Sequence, residues 1–273
     1  MSKIAVVSGS NKGIGLAVVR ALCKLFHGEV YLTARNDGRG KEAVKLLENE
    51  GLKPKYHQLD IEDEDSIKRL RDFMVSTHGG IDVLVNNAGF AFKGADTTPF
   101  ATQAEVTLKI NFFATLNACK ILLPIVRSGG RVVNVSSMAS GMSLKKCSPD
   151  LQTVFRSPVI TEEQLVSRMQ EFVEYAKQGV HEEKGYPSWA YGVSKIGVTV
   201  MSRIQARVMR EDGKNDILLN ACCPGWVRTD MAGPKAPKSP DEGAETPVYL
   251  ALLPPGSTEP HGQYVSNKKV RSW

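Results

Sequence analysis

An apolar run at residues 3–8 breaks into Ser8-Gly9-Ser10-Asn11-Lys12-Gly13-Ile14-Gly15, after which Leu16, Val18, Val19, Leu22 and Leu25 recur at helical spacing. Strand, glycine-rich turn and helix make the first third of a βαβ unit. The glycines let the backbone approach a pyrophosphate, which rests on the free N–H groups of the helix N-terminus. The spacing is G-x-x-x-G-x-G, so it is neither the usual dinucleotide fingerprint nor a P-loop, which would end in Gly-Lys-Ser/Thr. Standing alone, the stretch also reads as a plain glycine-rich turn.

The rest of the chain supports the nucleotide reading. Strand-like runs at Glu29–Arg35, Lys53–Leu59, Ile81–Val85, Arg131–Val135 and Ile217–Cys223 alternate with helical patterns at 38–50, Glu62–His78, Thr102–Arg127 and Trp189–Arg210. A last helix at 241–253 and a short strand at 262–266 close the chain. This alternation predicts an α/β fold, a doubly wound parallel sheet of Rossmann type in one domain over 1–273. Ligands on such a sheet bind beyond the carboxyl ends of the strands, where Gly9, Arg35, Asp60 and Asn87 all fall. At the end of the second strand an acidic residue would bind the ribose hydroxyl of NAD, and an arginine would accept the 2′-phosphate of NADP. Arg35 stands there, with Arg39 four residues on and Lys12 in the first turn, which favours NADP. Asp37 is the counter-candidate, although its position also suits the dipole of a starting helix.

Composition narrows the function classes. The 273 residues are 42% hydrophobic and 23% charged, ordinary values for a soluble globular chain. No run approaches the ~20 residues of a membrane span, and neither Met1–Val7 nor Arg271–Trp273 reads as a targeting signal, so a cytoplasmic protein is expected. Five cysteines without a C-x-x-C pair argue against a disulfide framework or a zinc site. The net charge of +6 is spread among acidic residues, which suits a solvated surface with one phosphate pocket better than nucleic-acid binding.

Residues 138–188 break the rhythm and form an inserted segment with its own helix. There Thr161-Glu162-Glu163-Gln164 reads as a capping box, with Ile160 and Leu165 placed as a hydrophobic staple. Leu165, Met169, Phe172, Val173 and Ala176 form one stripe, and Gly179 can end the helix. Tyr191 and Lys195 share a helix face, and a neighbouring ammonium favours the ionised form of a phenol, making it a usable proton donor. Tyr264 and Lys268 have the same spacing but lie in a strand-like segment and a polar tail, so that pair is set aside. Asn111, inside an apolar helix, needs partners if buried, and reads equally as a structural asparagine. Ser137 sits at a strand end, where serine is often only a turn residue.

In order along the chain, the glycine turn, Asn86-Asn87-Ala88-Gly89, Ser137, Tyr191 with Lys195, and Pro224-Gly225 resemble the short-chain dehydrogenase/reductase family. The resemblance runs from Lys3 to Trp273 and is nearest the monomeric cytosolic carbonyl reductase group. It implies a catalytic tetrad of Asn111, Ser137, Tyr191 and Lys195 working with NADPH/NADP. Tyr191 would protonate a carbonyl oxygen, Ser137 would hydrogen-bond that oxygen, Lys195 would bind the nicotinamide ribose and depress the tyrosine pKa, and Asn111 would hold a relay water. The cofactor contacts it implies are Gly9, Asn11, Lys12, Gly13, Ile14, Gly15, Arg35, Arg39, Asp60, Ile61, Asn87, Tyr191, Lys195, Val227 and Thr229.

For the substrate it implies Ser137, Ala139, Ala190, Trp226 and the segment 138–142, with Phe92 and Lys93 linked to glutathione-conjugated substrates. Quinones, aldehydes and ketones are the implied substrate class, with prostaglandins and keto-steroids as endogenous candidates. A dedicated steroid 20-keto reductase and a non-catalytic NADP-binding regulator are the alternatives. The fifty-three residues between Ser137 and Tyr191 would cover the helical face that relatives use to associate, which implies a monomer. Two departures stand out: Ser8 replaces the usual threonine, and Ala139 replaces a larger apolar side chain, which would widen the pocket. Cys223 reads as a reactive thiol or, alternatively, as a buried and inert one, with exposure deciding between them.

Overall fold

Strands made of uninterrupted apolar residues bury both faces, and that is how this sheet is built. The structure, a computed structural model, describes residues 2–214 and 216–273. Seven parallel strands, β1 (Lys3–Val7), β2 (Gly28–Ala34), β3 (Lys55–Gln58), β4 (Ile81–Asn86), β5 (Val126–Val135), β6 (Leu218–Cys223) and β7 (Tyr264–Ser266), are joined by β8 (Lys269–Val270), which is antiparallel. Their order is β3-β2-β1-β4-β5-β6-β7-β8, so the chain reverses direction across the sheet between β1 and β4. The expected doubly wound sheet is present. Beyond the carboxyl ends of β1 and β4 lies the crevice where such folds hold ligands.

Side chains alternate across each strand. Ala5 and Val7 pack with α1 (Gly13–Leu25) and α10 (Pro240–Ala251), while Ile4 and Val6 pack with α3 (Glu64–His78) and the end of α9 (Ala190–Glu211). Asp37, the counter-candidate for a ribose ligand, is the first residue of α2 (Asp37–Asn49) and pairs with Lys41. Its place at a helix N-terminus is the dipole reading of that residue.

The helix expected over Thr102–Arg127 differs at both ends and in the middle. It runs as α4 (Phe100–Leu108), a π-helical turn (Lys109–Ala114), α5 (Thr115–Leu122) and one 3₁₀ turn (Leu123–Ile125). Pro124 lacks the N–H to continue it, and Val126 already pairs with Ile81 in the sheet. Phe100–Ile125 is also long and apolar enough to cross a membrane by length and composition, against the expectation that no run is. More than half of its most apolar window is buried, and Leu108, Phe112, Leu116 and Cys119 belong to the core, so it is a core helix.

The insertion holds three helices rather than one: α6 (Met138–Leu144), α7 (Pro149–Arg156) and α8 (Glu162–Gln178). Ser148 caps α7 with proline at its first position, a start signal present in the sequence. In α8 the capping box forms as expected, with Gln164 N–H on Thr161 Oγ1 at 3.2 Å and Thr161 N–H on Gln164 Oε1 at 3.0 Å. Its stripe packs against α4 and α9. The rival tyrosine–lysine pair is not helical. Asn267 and Lys268 form the β7–β8 turn with φ of 50° and 60°, and Lys268 Nζ pairs with Glu245.

Candidate active site

The turn after β1 is shaped by what its glycines lack. Gly9 has a φ of +59°, and a Cβ there would stand 2.8 Å from Ala88 Cα. A Cβ on Gly15 would meet Asn87 Nδ2 at 2.5 Å and Gly9 O at 2.7 Å. The two strand ends are stitched together here: Ser8 Oγ accepts from Asn87 N and Ala88 N at 3.0 and 3.1 Å, and Asn87 Nδ2 donates to Ser8 O and Gly9 O. Asn87 therefore holds the turn in shape. Ser8 keeps the hydroxyl of the usual threonine and uses it.

Helix α1 begins at Gly13 with Lys12 as its N-cap, no side-chain capping bond and no acidic residue in its first turn. Its N–H groups and its dipole are thus left for an anion. Ile14 packs inward against Gly243, and Thr229 Cγ2 would lie 3.3 Å from a Cβ on Gly13, so the chain after β6 crosses the turn. Asn11 borders the same turn, and Val227 is buried beneath it.

Two of the three cations expected on one phosphate have acidic partners. Lys12 Nζ lies 2.7 Å from Asp230, and Arg35 reaches Glu62 at 3.5 Å from an exposed position. Arg39 lies in the first turn of α2, its backbone N–H held by Asn36, the N-cap of that helix. Asp60 follows β3 and turns its carboxylate onto Glu62 N–H, and Ile61 is partly buried beside it. Asp230 was not among the expected residues. Its pairing spans 218 residues of sequence, so no local signal could have found it.

Facing this turn are the ends of β4 and β5 and the start of α9. Lys195 is 5% exposed, has no acidic partner among the described residues, and donates to Val135 O at 2.9 Å. Burial lowers its pKa to about 8. Its Nζ lies 5.6 Å from the Tyr191 ring centroid, over the face of the ring. The expected depression of the tyrosine pKa is not what this site produces. Burial pushes the Tyr191 phenol up to about 12, and the Ser137 hydroxyl beside it lowers it by less. The ammonium faces a carbonyl and a ring, so desolvation decides the balance.

Ser137 caps α6, and its Oγ accepts from Ala139 N at 3.2 Å, which leaves its hydroxyl hydrogen to donate. Asn111 is buried in the π-helical turn, a distortion often found at functional sites. Its amide donates to Phe90 O and Ser194 Oγ, and its Oδ1 accepts from Phe90 N at 2.7 Å. It ties the β4 end to α9. A relay water on its side chain would have only the remaining Oδ1 lone pair.

Around the mouth, Trp226, Met138, Met142 and Met231 are exposed, and the first three lie in the expected lining. Ala139 and Ala190 do not line an open cleft. Both are buried, Ala190 within the core of the insertion, so a smaller side chain at 139 enlarges no open surface. Phe92 packs edge to face on Phe90 at 4.8 Å, and Lys93 is exposed next to it. Cys223 is 1% exposed, and its Sγ accepts from Met138 N and Gly225 N, which favours the inert reading. Among the described residues no His, Cys, Asp and Glu cluster could hold a metal.

Residues 3–149 match the family model for short chain dehydrogenase. Carbonyl reductase [NADPH] 1 of Homo sapiens is 65% identical over 99% of this chain and 98% of its own length. Carbonyl reductase [NADPH] 3 of Rattus norvegicus is 59% identical over 100% and 99%. Among solved structures, salutaridine reductase from Papaver somniferum superposes with a TM-score of 0.86 at 30% identity, covering 96% of this chain and 99% of its own. With a glycine turn, a tyrosine beside a buried lysine, and a serine at the carboxyl ends of the central strands, the chain belongs to the short-chain dehydrogenase family that these matches define.

Proposed function

We propose that this protein is an NADPH-dependent carbonyl reductase of broad specificity, turning quinones, aldehydes and ketones into alcohols. The observation that carries the reading is the uncapped, glycine-lined start of α1 beside Tyr191, Ser137 and Lys195. The names of two relatives, both NADPH carbonyl reductases, support it. The turn fits a dinucleotide: its cradle has no Cβ and its N–H groups have no side-chain cap, while Lys12, Arg35 and Arg39 are the candidate phosphate ligands, the first two exchanging Asp230 and Glu62 for it. Bound there, NADPH would supply the hydride.

The chain's own residues supply the rest. Tyr191, protonated at any physiological pH, is the proton donor to the carbonyl oxygen. Ser137 donates a hydrogen bond to the same oxygen as charge develops on it. Lys195, cationic below about pH 8, would hold the nicotinamide ribose hydroxyls, and it stabilises the phenolate that proton transfer leaves. Asp60 and Ile61 would border the adenine, and Val227 and Thr229 would meet the carboxamide. Trp226, Met138 and Met142 offer an apolar mouth, with the exposed Lys93, next to Phe92, suited to a carboxylate of a glutathione conjugate.

In this reading the enzyme is cytoplasmic, and it is a monomer because α8 occupies the face of α4 and α9. Sedimentation as a 29.8 kDa species checks that. The activity test is NADPH oxidation with menadione: Tyr191→Phe should lower kcat about 10²–10⁴-fold while NADPH still binds. Wild-type turnover in that variant would exclude the mechanism.

A further inference from the structure

Ser137 sits at the junction of β5 and α6, and α6 has only seven residues with which to hold it. So short a helix has little stability of its own and takes its place from contacts. One of them comes from the other end of the chain. Trp273, three residues beyond β8, donates its indole N–H to Ser140 Oγ at 2.7 Å. Ser140 is fully buried, and its hydroxyl donates in turn to the Ser137 carbonyl at 2.8 Å.

The two bonds form one chain, indole N–H to hydroxyl to carbonyl, in which each donor polarises the next. The indole occupies the acceptor side of the Ser140 hydroxyl and leaves its hydrogen directed at Ser137 O. The ring lies along Gly141, where a Cβ would stand 3.7 Å from Trp273 Cδ1, and Arg203 covers it at 6.0 Å. A second observation points to the same junction. Trp273 also packs on the cluster of Ala221, Cys223 and Tyr264, and Cys223 Sγ accepts the N–H of Met138 at 3.1 Å. The peptide unit joining Ser137 to Met138 is therefore held through its carbonyl and its N–H. Trp273 bonds the partner of the first and packs on the cluster that contains the partner of the second.

We propose that Trp273 is a positioning residue for the reaction, setting through Ser140 and Cys223 where the Ser137 hydroxyl points. This rests on the role given to Ser137 under the proposed function. Reaction geometry is steep in position, so loosening this tether should act on kcat and spare cofactor binding.

The experiment measures menadione reduction by Trp273→Phe, Ser140→Ala and the double variant, together with NADPH KM and Tm. Trp273→Phe keeps a packed ring and removes the N–H. It should lower kcat by about fivefold, the order of one neutral hydrogen bond, with NADPH KM unchanged. Ser140→Ala should do the same, and the double variant should be no worse than Ser140→Ala, since both substitutions cut one chain. Independent, multiplying effects would overturn the proposal, as would wild-type kcat in Trp273→Phe or a loss shared equally by kcat, NADPH KM and Tm. A readout apart from turnover is the indole N–H resonance missing from Trp273→Phe, which should shift in Ser140→Ala; an unshifted resonance also overturns it. Should the wild type reduce no carbonyl, the proposed function fails, and the resonance test still decides whether the tether exists.

Discussion

The two sides of the cleft are held in place by different means. On the nucleotide side the shape is made by backbone: absent Cβ atoms, an uncapped helix start, and Asn87 and Ser8 bonding main-chain groups. On the catalytic side the shape is made by side chains that meet across the fold, such as Ser143 of α6 against Gly192 of α9. Backbone devices need a few adjacent residues and leave a local motif. Side-chain contacts between distant elements leave almost none.

Two glycine substitutions would break this comparison or sharpen it. Gly15→Ala places a Cβ 2.5 Å from Asn87 Nδ2 and 2.7 Å from a backbone oxygen, and should cost about 1–3 kcal/mol of stability together with NADPH affinity. Denaturant unfolding and fluorescence titration read both. Gly192→Ala places one 2.7 Å from Ser143 Cβ and 2.9 Å from Trp189 Cε3, and should lower kcat severalfold at unchanged NADPH affinity, with Ser143→Gly restoring part of it. If each variant damages binding and kcat alike, the two sides are not separate devices.

Next in size, Arg35→Asp should raise the KM for NADPH roughly tenfold or more and leave that for NADH nearly unchanged, the scale of a charged hydrogen bond. Equal effects on both cofactors would remove Arg35 from the phosphate. The smallest effect is on pH. Lys195 falls to about 8 in the folded protein, so kcat/KM should be half-lost near pH 8 and decline above it, on a limb that Lys195→Arg moves upward. The linked effect on stability has the opposite sign. Between about pH 8 and the unfolded value of 10.5 the unfolded chain binds a proton that the folded one does not, so this group's contribution to stability rises with pH across that window.

Legibility in the sequence obeys the same division. The α/β class, the glycine turn and the order of site residues show in short periodic runs and capping signals, such as Thr161–Gln164 and the glycines that end α3 and α8. The helix expected over 102–127 is too long at its C-terminal end, because an apolar pattern does not register a π-helical turn at Lys109–Ala114 or the point where Val126 finds a sheet partner. Two of the three insertion helices, α6 and α7, are too short to set up a clear period. Asp230 and Trp273 are out of reach altogether, since their partners Lys12 and Ser140 lie 218 and 133 residues away.

By itself, the sequence determined which chemical groups the chain owns and the backbone turn that can hold a pyrophosphate, because glycine spacing and strand periodicity act within a few residues. Only the tertiary structure decided how those groups behave. Burial, a property of the whole packed chain, raises Tyr191 and lowers Lys195. Packing between distant elements sends the Lys12 amine to Asp230 and the Asn111 amide to Phe90, and brings Trp273 to the helix that Ser137 caps.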